Sequence, residues 1–413
     1  MSPPSALRQR ETIPLRYVCR LNPSVSFEEF DEEDELTFLP MERVKNGHFI
    51  PNTTKFSNYS PSYNAFENGD IVLAKVTPCF ENGNIAIVND LVGGKGFGSS
   101  ELFVVRPEKA ERRFLLYYFQ SLRFKQEGEA SMTGAGGLKR VSPDMLRRHH
   151  LPFPPKDEQN NIAEYLDHET SQIDALVAEK ERMLALLEDK RAALISRAVT
   201  RGLNPKAPTK PSGLDWLGQI PKHWEVQRCA TLFTEKDERG EPELPLLNVS
   251  LNTGVTLRVF SEDKIESMAA DLGTMKIARA NDLVFNKMRF WQGAAGIAPA
   301  DGLVSPDYTV ASISTELVPK YIGELFRIRL FNGEVKRYSY GMVDDRLRLY
   351  WHAFKNIRVP IPPIKEQEAI VGEISAYRKK TAMLTAALVD SIKLLKERRS
   401  ALITAAVTGK FDL

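Results

Sequence analysis

Residues 151–159 read LPFPPKDEQ, and residues 359–367 read VPIPPIKEQ. The two nonapeptides stand 208 positions apart in a chain of 413 residues, and at that offset the match runs without a gap through the whole following segment. EQNNIAEYLDHETSQIDALVAEKERMLALLEDKRAALISRAVT (158–200) lies over EQEAIVGEISAYRKKTAMLTAALVDSIKLLKERRSALITAAVT (366–408). Upstream the likeness survives in patches. NGDIVLAK (68–75) matches ANDLVFNK (280–287), and SSELFVV (99–105) matches SPDYTVA (305–311). The chain is ordered as variable segment, repeat, variable segment, repeat.

Each repeat is dense in Ala, Leu, Glu, Lys and Arg and has no Gly or Pro except Gly372, so each predicts one long helix of about 42 residues, roughly 63 Å if straight. Apolar residues keep a heptad register: Leu166, Ile173, Leu187 and Leu194 in the first repeat, Ile374, Leu388, Leu395 and Leu402 in the second. Lys180 and Thr381 interrupt it. A second stripe, with Ile162, Leu176 and Met183 in one repeat and Ile370 and Leu384 in the other, widens the apolar face beyond a two-helix seam. That width suits additional partner helices.

The prolines of each nonapeptide impose an extended approach that is expected not to continue a preceding strand, so the chain should turn there. Asp157, Glu158 and Gln159, and Glu366, Gln367 and Glu368, then put negative charge and acceptors on a first helical turn, where free N–H groups favour them. Each nonapeptide is read as a junction from a globular unit into a long helix. If the first helix leads away from the first unit, the second can pack on it only by running back. The expected fold is α+β: two mixed α/β domains separated by a long antiparallel two-helix coiled coil, as a pseudo-twofold internal repeat. The boundaries are 1–154 for the first domain, 155–200 for the first helical region, 201–213 for a linker, 214–362 for the second domain and 363–410 for the second helical region.

Inside the variable segments, DIVLAKV (70–76), NIAIV (84–88), ELFVV (101–105), DLVFNKM (282–288) and YTVASI (308–313) predict strands. RRFLLYYFQSLRFKQ (112–126) and PKYIGELFRIRLFN (319–332) each predict a helix, and GGKGFG (93–98) a hairpin loop. Basic residues gather late in each segment, six Lys/Arg against three acids in 121–150 and nine against four in 320–358. They include the loops TGAGGLKRV (133–141) and YGMVDDRLRLY (340–350), whose Lys139, Arg140, Arg346 and Arg348 are candidates for phosphate or guanine contacts. Lys75 and Lys287, each five residues after an aspartate (Asp70, Asp282), and Arg289 in NKMRFWQG join them as candidate DNA contacts. Ordinary solvated surface is the competing reading of these clusters, a structural role that of the two aspartates. The acidic run FEEFDEEDE (27–35) is expected to be a solvent-facing strip.

A charge of +2 and a 27% charged, 42% hydrophobic composition describe a soluble globular chain whose basic patches are local. No apolar signal segment or membrane span is read, which predicts a cytoplasmic protein. Three cysteines lie far apart, without C-x-x-C spacing, so neither disulfides nor a thiolate metal site is expected. No P-loop, adenine-methyltransferase or metal-ligand motif is found. That argues against an enzyme, while a coiled-coil scaffold lacking DNA readout and an enzyme with an unrecognised motif both stay open as alternatives.

With these residues in hand, the chain resembles the specificity subunits of Type I restriction–modification systems, the HsdS family. The resemblance rests on the twin junctions PFPPKDEQNNIAEYLD and PIPPIKEQEAIVGEIS, the helix ends RAALISRAVTRGL and RSALITAAVTGKF, and GLDWLGQIPKHWEV (213–226), which has no counterpart ahead of the first unit. It implies two target-recognition domains, each reading half of a bipartite, asymmetric site in double-stranded DNA. It implies helices that set the spacing and bind two modification (methyltransferase) subunits, with restriction (translocase–nuclease) subunits joining. No cofactor is expected in this chain; S-adenosylmethionine, ATP and Mg would belong to the partners.

Overall fold

The computed structural model describes residues 11–135, 137–258, 272–341 and 347–410. The chain divides into two compact units, one comprising 1–181 with 388–413, the other 182–387. The division does not follow the sequence repeat, because each long helix contributes to both units.

The first long helix spans Lys156–Arg201 and the second Ile364–Thr408, 46 and 45 residues. They begin at repeat-equivalent positions and end one residue out of step. The reason is local: each stops at a left-handed glycine, Gly202 (φ 74°) and Gly409 (φ 74°), and that glycine comes one position earlier in AVTG than in AVTRG.

In unit one a four-stranded antiparallel sheet runs in the order Cys19–Leu21, Leu102–Pro107, Ile71–Ala74, Ile85–Ile87. Strand Ile71–Ala74 is wholly buried because both faces are covered. Ile71 and Leu73 face helices Arg112–Gln120, Leu122–Ala130 and Pro143–Arg148, while Val72 and Ala74 face a smaller core shared with Leu39 and Phe66. Those last two residues belong to a second sheet, ordered Thr53–Lys55, Glu35–Leu39, Lys95–Gly98, Asn64–Glu67. Unit two repeats the plan, with strands in the order Phe233–Lys236, Tyr308–Ile313, Leu283–Asn286, Ala295–Ile297. There Leu283 and Phe285 face one core and Val284 the other. The paired patches read from sequence are thus equivalent strands, Ile71 opposite Val105 and Leu283 opposite Ala311.

The helix ends complete the cores. Ile403, Ala406 and Val407 of the second helix are buried in the core of unit one beside Ile162 and Leu166 of the first. The repeat-equivalent Ile195, Ala198 and Val199 are buried in unit two beside Ile370 and Ile374. Within unit one the helices run antiparallel, since Asp174 pairs with Arg399 (2.9 Å) and Glu181 with Lys396 (3.1 Å).

Four expectations need correction. Pro152 and Pro360 are themselves strand residues, paired with Thr12 and Val226, because a two-stranded ribbon has an open edge on which a residue without N–H is tolerated. The two single helices expected at 112–126 and 319–332 are each broken in two. Ser121 is extended (φ −64°, ψ 148°) and its hydroxyl accepts from Phe124 N–H, capping a new helix; Ile328 is likewise extended (φ −73°, ψ 144°). GGKGFG contains a strand rather than a hairpin loop: a Cβ on Gly96 would lie 2.5 Å from the Phe66 ring, and one on Gly98 2.5 Å from the Leu39 carbonyl oxygen.

The glutamine that ends each nonapeptide is buried. Gln159 donates from Nε2 to the Pro154 carbonyl (2.8 Å) and accepts at Oε1 from Glu111 N–H (2.8 Å), the residue that caps helix Arg112–Gln120. Gln367 donates to the carbonyls of Pro362 (2.9 Å) and Glu316 (3.1 Å) and accepts from Val318 N–H (2.7 Å), which precedes helix Pro319–Leu325. One amide therefore ties each proline junction to the first helix of its domain. Gln367→Leu orphans the Val318 N–H and two carbonyls and is expected to cost about 2–4 kcal/mol. An unchanged thermal midpoint would show that the clamp contributes nothing.

Beneath helix Leu122–Ala130, His149 is buried, with Nε2 2.8 Å from the Tyr118 hydroxyl, Nδ1 2.8 Å from Glu127, and the Phe124 ring edge-on. Burial holds its imidazole below the ordinary value, against the opposing pull of Glu127. The unfolded imidazole takes a proton near pH ~6.5 and the folded one only at lower pH, so stability falls on acidification below about 6.5 and is flat above. Thermal melts from pH 8 to 5 should show that slope in the wild-type protein and a smaller one in His149→Gln.

Candidate nucleic-acid interface

The sheet of unit one delivers its central strand to the loop that the sequence marked as basic. After Ile71–Ala74 the chain passes through Lys75, Val76 and Thr77, and the carbonyl of Lys75 accepts from Val141 N–H (2.8 Å). Thr133 and Arg140 exchange backbone hydrogen bonds (3.0 and 2.9 Å), closing TGAGGLKR into a loop. Unit two builds the same closure. Leu349 N–H donates to the Lys287 carbonyl (2.8 Å), and Tyr340 and Arg348 exchange two bonds of 2.9 Å. Lys75, Lys139 and Arg140 are thereby brought together in one unit, and Lys287 and Arg348 in the other. Arg289 lies exposed in the turn just after Lys287; Arg346 lies outside the described residues.

The side chains differ in how they are held. Arg140 is bound by Nε and Nη2 to both oxygens of Glu101 (2.9 Å each), and this fork, with Lys75 nearby, holds the Glu101 carboxyl below its usual range. Lys75 is half-buried, its ammonium 5.7 Å over the Phe103 ring. Lys139 is exposed. Elsewhere in the basic cluster Arg123 pairs with Glu127, Arg147 pairs with Asp144, and burial depresses the Lys125 ammonium. On unit two the exposed rings of Tyr340 and Tyr350 flank His352, with interplanar angles of 23° and 11°.

The aspartates that precede Lys75 and Lys287 are structural. Asp70 is buried, receives a bidentate guanidinium from Arg106 (2.8 and 2.7 Å) and caps Glu67 N–H. Asp282 is buried against Lys236 (3.1 Å) and caps Arg279 N–H. Among the described residues no group of three or more His, Cys, Asp or Glu is placed to hold a metal, and the three cysteines are unpaired; burial pushes the Cys19 thiol up to about 12. The acids of 27–35 are exposed, while Phe27 packs on Phe56 and Tyr59.

On the long helices the first stripe faces inward, whereas the second is split along its length, with Ile162 and Ile370 buried in the cores of units one and two. Leu166, Ile173, Ile374 and Leu388 are buried, and Leu187, Leu194, Leu395 and Leu402 are half-buried. Lys180 and Thr381 remain on this inner face, half-buried. Leu176 (53% exposed), Met183 (45%) and Leu384 (47%) point outward instead. They are accompanied by Leu186, Met383, Val389 and Leu394, also exposed, which the heptad count passed over because they lie off both stripes.

The sequence model of a family described as the Type I restriction modification DNA specificity domain matches residues 11–183. The chain is similar to the Type I restriction enzyme EcoAI specificity subunit of Escherichia coli, with 38% identity over 36% of this chain and 26% of that one. It is also similar, at 21% identity, to the MjaVIII specificity subunit of Methanocaldococcus jannaschii over 88% of this chain and 83% of that one. The matched region thus spans about a quarter of the EcoAI relative's length. Among solved structures, the HsdS subunit from Thermoanaerobacter tengcongensis shares the fold (TM-score 0.52, 17% identity, 99% of each chain). So does a chain from a study of complex assembly and conformational transition of the type I R-M system (TM-score 0.71, 15% identity, 99% of this chain and 100% of that one). Residues 11–183 thus match the Type I restriction modification DNA specificity domain, and the chain as a whole is similar in sequence and in fold to Type I restriction–modification specificity subunits.

Proposed function

We propose that this chain is the sequence-specific DNA-recognition subunit of a Type I restriction–modification complex, each unit reading one half of a bipartite, asymmetric site in double-stranded DNA. One observation carries the reading: the two units present loops closed by equivalent backbone bonds, at the ends of equivalent strands in two separate sheets, with different side chains in them. A shared scaffold with different readers is what two unlike half-sites require. Lys75, Lys139 and Arg140, and Lys287, Arg289, Arg346 and Arg348, are assigned to DNA, phosphate contacts fixing register and base-edge contacts giving sequence. Because Glu101 occupies one edge of Arg140, that residue either keeps a positioning role or exchanges partners on binding.

The two antiparallel helices then set the spacing between half-sites. Their outward apolar residues receive helices of two modification subunits, and restriction subunits join that assembly. S-adenosylmethionine chemistry, and ATP and Mg use, belong to those partners; this chain positions and the others react. Among the described residues no helix is long and apolar enough to cross a membrane, which suits a cytoplasmic complex acting on DNA.

The test is to co-express the chain with its modification subunit and map methyladenine across a plasmid library. Lys139→Ala with Arg140→Ala should weaken recognition of one half-site, and Arg346→Ala with Arg348→Ala the other, at about 1–3 kcal/mol for each lost bidentate base contact. Methylation patterns unaltered by either pair would remove these loops from the interface. The helix assignment has its own measurement. Met383→Glu with Leu384→Glu should abolish co-purification of the modification subunit and leave the thermal midpoint within a degree or two, whereas Leu388→Glu, at a buried position, should lower that midpoint.

A further inference from the structure

The loop 133–140 in unit one carries a feature that basic residues do not explain. Four of its positions are Gly134, Ala135, Gly136 and Gly137, so its one bulky apolar side chain is Leu138, which is 49% exposed. Here the main chain is held: the Thr77 hydroxyl donates to the Gly137 carbonyl (2.9 Å) and accepts from Lys139 N–H (3.0 Å), while Thr77 N–H donates to the Lys139 carbonyl (3.0 Å). Leu138 sits between the two residues that Thr77 grips. From the other side, Gly134 (φ 141°) comes so close that a Cβ there would lie 2.4 Å from the Leu138 carbonyl oxygen. The loop is therefore folded back on itself with its leucine displayed, next to Lys139 and the Arg140–Glu101 pair. Glycine and alanine neighbours leave room for a partner's surface to come close to the backbone.

We propose that Leu138 is a specificity-determining residue that contacts the 5-methyl group of a thymine in the major groove of the first half-site, and that Thr77 is its positioning residue. This rests on the reading of the chain as a DNA-recognition subunit. Within the major groove the thymine methyl is the one apolar group that a base pair presents, and aliphatic side chains recognise it by burial. A displayed leucine flanked by cationic residues matches that groove edge. In unit two Arg289 stands two residues after Lys287, where Thr77 stands two after Lys75, so the hydroxyl that grips the loop is particular to unit one and the contact is assigned to one half-site only.

The experiment uses the full chain in complex with its modification subunits and duplex oligonucleotides carrying the mapped site. Each thymine of the first half-site is replaced in turn by deoxyuridine, which removes only the methyl group. Wild-type complex should lose about fourfold in affinity at one thymine, the effect of uncovering one methyl, and Leu138→Ala complex should bind both duplexes alike. Thr77→Val should weaken discrimination at that same thymine with the salt dependence of binding unchanged, and Thr77→Ser, which keeps the hydroxyl, should restore it. A first half-site without thymine on either strand, wild-type indifference to every deoxyuridine, or a Leu138→Ala complex that still senses the methyl would overturn the assignment to Leu138. Full discrimination by Thr77→Val would overturn the role of Thr77. If instead the wild-type complex methylates no defined sequence, the DNA-recognition reading itself fails.

Discussion

The structure depends on how a glutamine amide is buried at the point where a domain becomes a helix. Gln159 and Gln367 each stand on the first turn of a long helix, and each bridges a proline carbonyl just upstream to an N–H that opens the domain's first helix. A buried amide must satisfy donor and acceptor together, and only one placement of the helix relative to the domain does so. The prolines before it cannot offer their own N–H groups to that network and hold the chain extended into it. The direction in which each long helix leaves its domain is set there, and everything the helices do downstream inherits it.

From that junction the two halves are built alike and filled differently. The central strands Ile71–Ala74 and Leu283–Asn286 are buried on both faces, and both end at a lysine whose carbonyl receives the closing segment of a loop. The closure is made by backbone groups, so it tolerates almost any side chain. Unit one puts small residues, Leu138 and Lys139 into its loop, whereas unit two puts stacked tyrosine and histidine rings at the stem of its own. A main-chain scaffold that ignores side-chain identity allows recognition surfaces to diverge without loss of fold.

Much of this was legible in the sequence because its causes are local or periodic. The 208-residue repeat, the heptad positions Leu166, Ile173, Ile374 and Leu388, the five strand segments and the basic loops all announce themselves within windows of a few residues to a few turns. The helix starts were legible to within a residue, whereas the ends, expected at 200 and 410, fall at Arg201 and Thr408, each just before a left-handed glycine. What was misread failed for a stated reason: Ser121 and Ile328 break helices whose apolar pattern runs on unbroken, and Gly96 and Gly98 are strand residues because Phe66 and Leu39 press against them.

The sequence by itself determined that two variable segments alternate with two repeats, each repeat a long helix with a wide apolar face, and that its basic residues gather in two loops. Only the tertiary structure decided which residues those loops rest on. Gln159 finds its partner 48 positions upstream, Thr77 grips a loop 60 positions downstream, and the last turns of the second helix complete a core begun near residue 15. Contacts of that range depend on where folded elements meet, and no spacing along the chain encodes it.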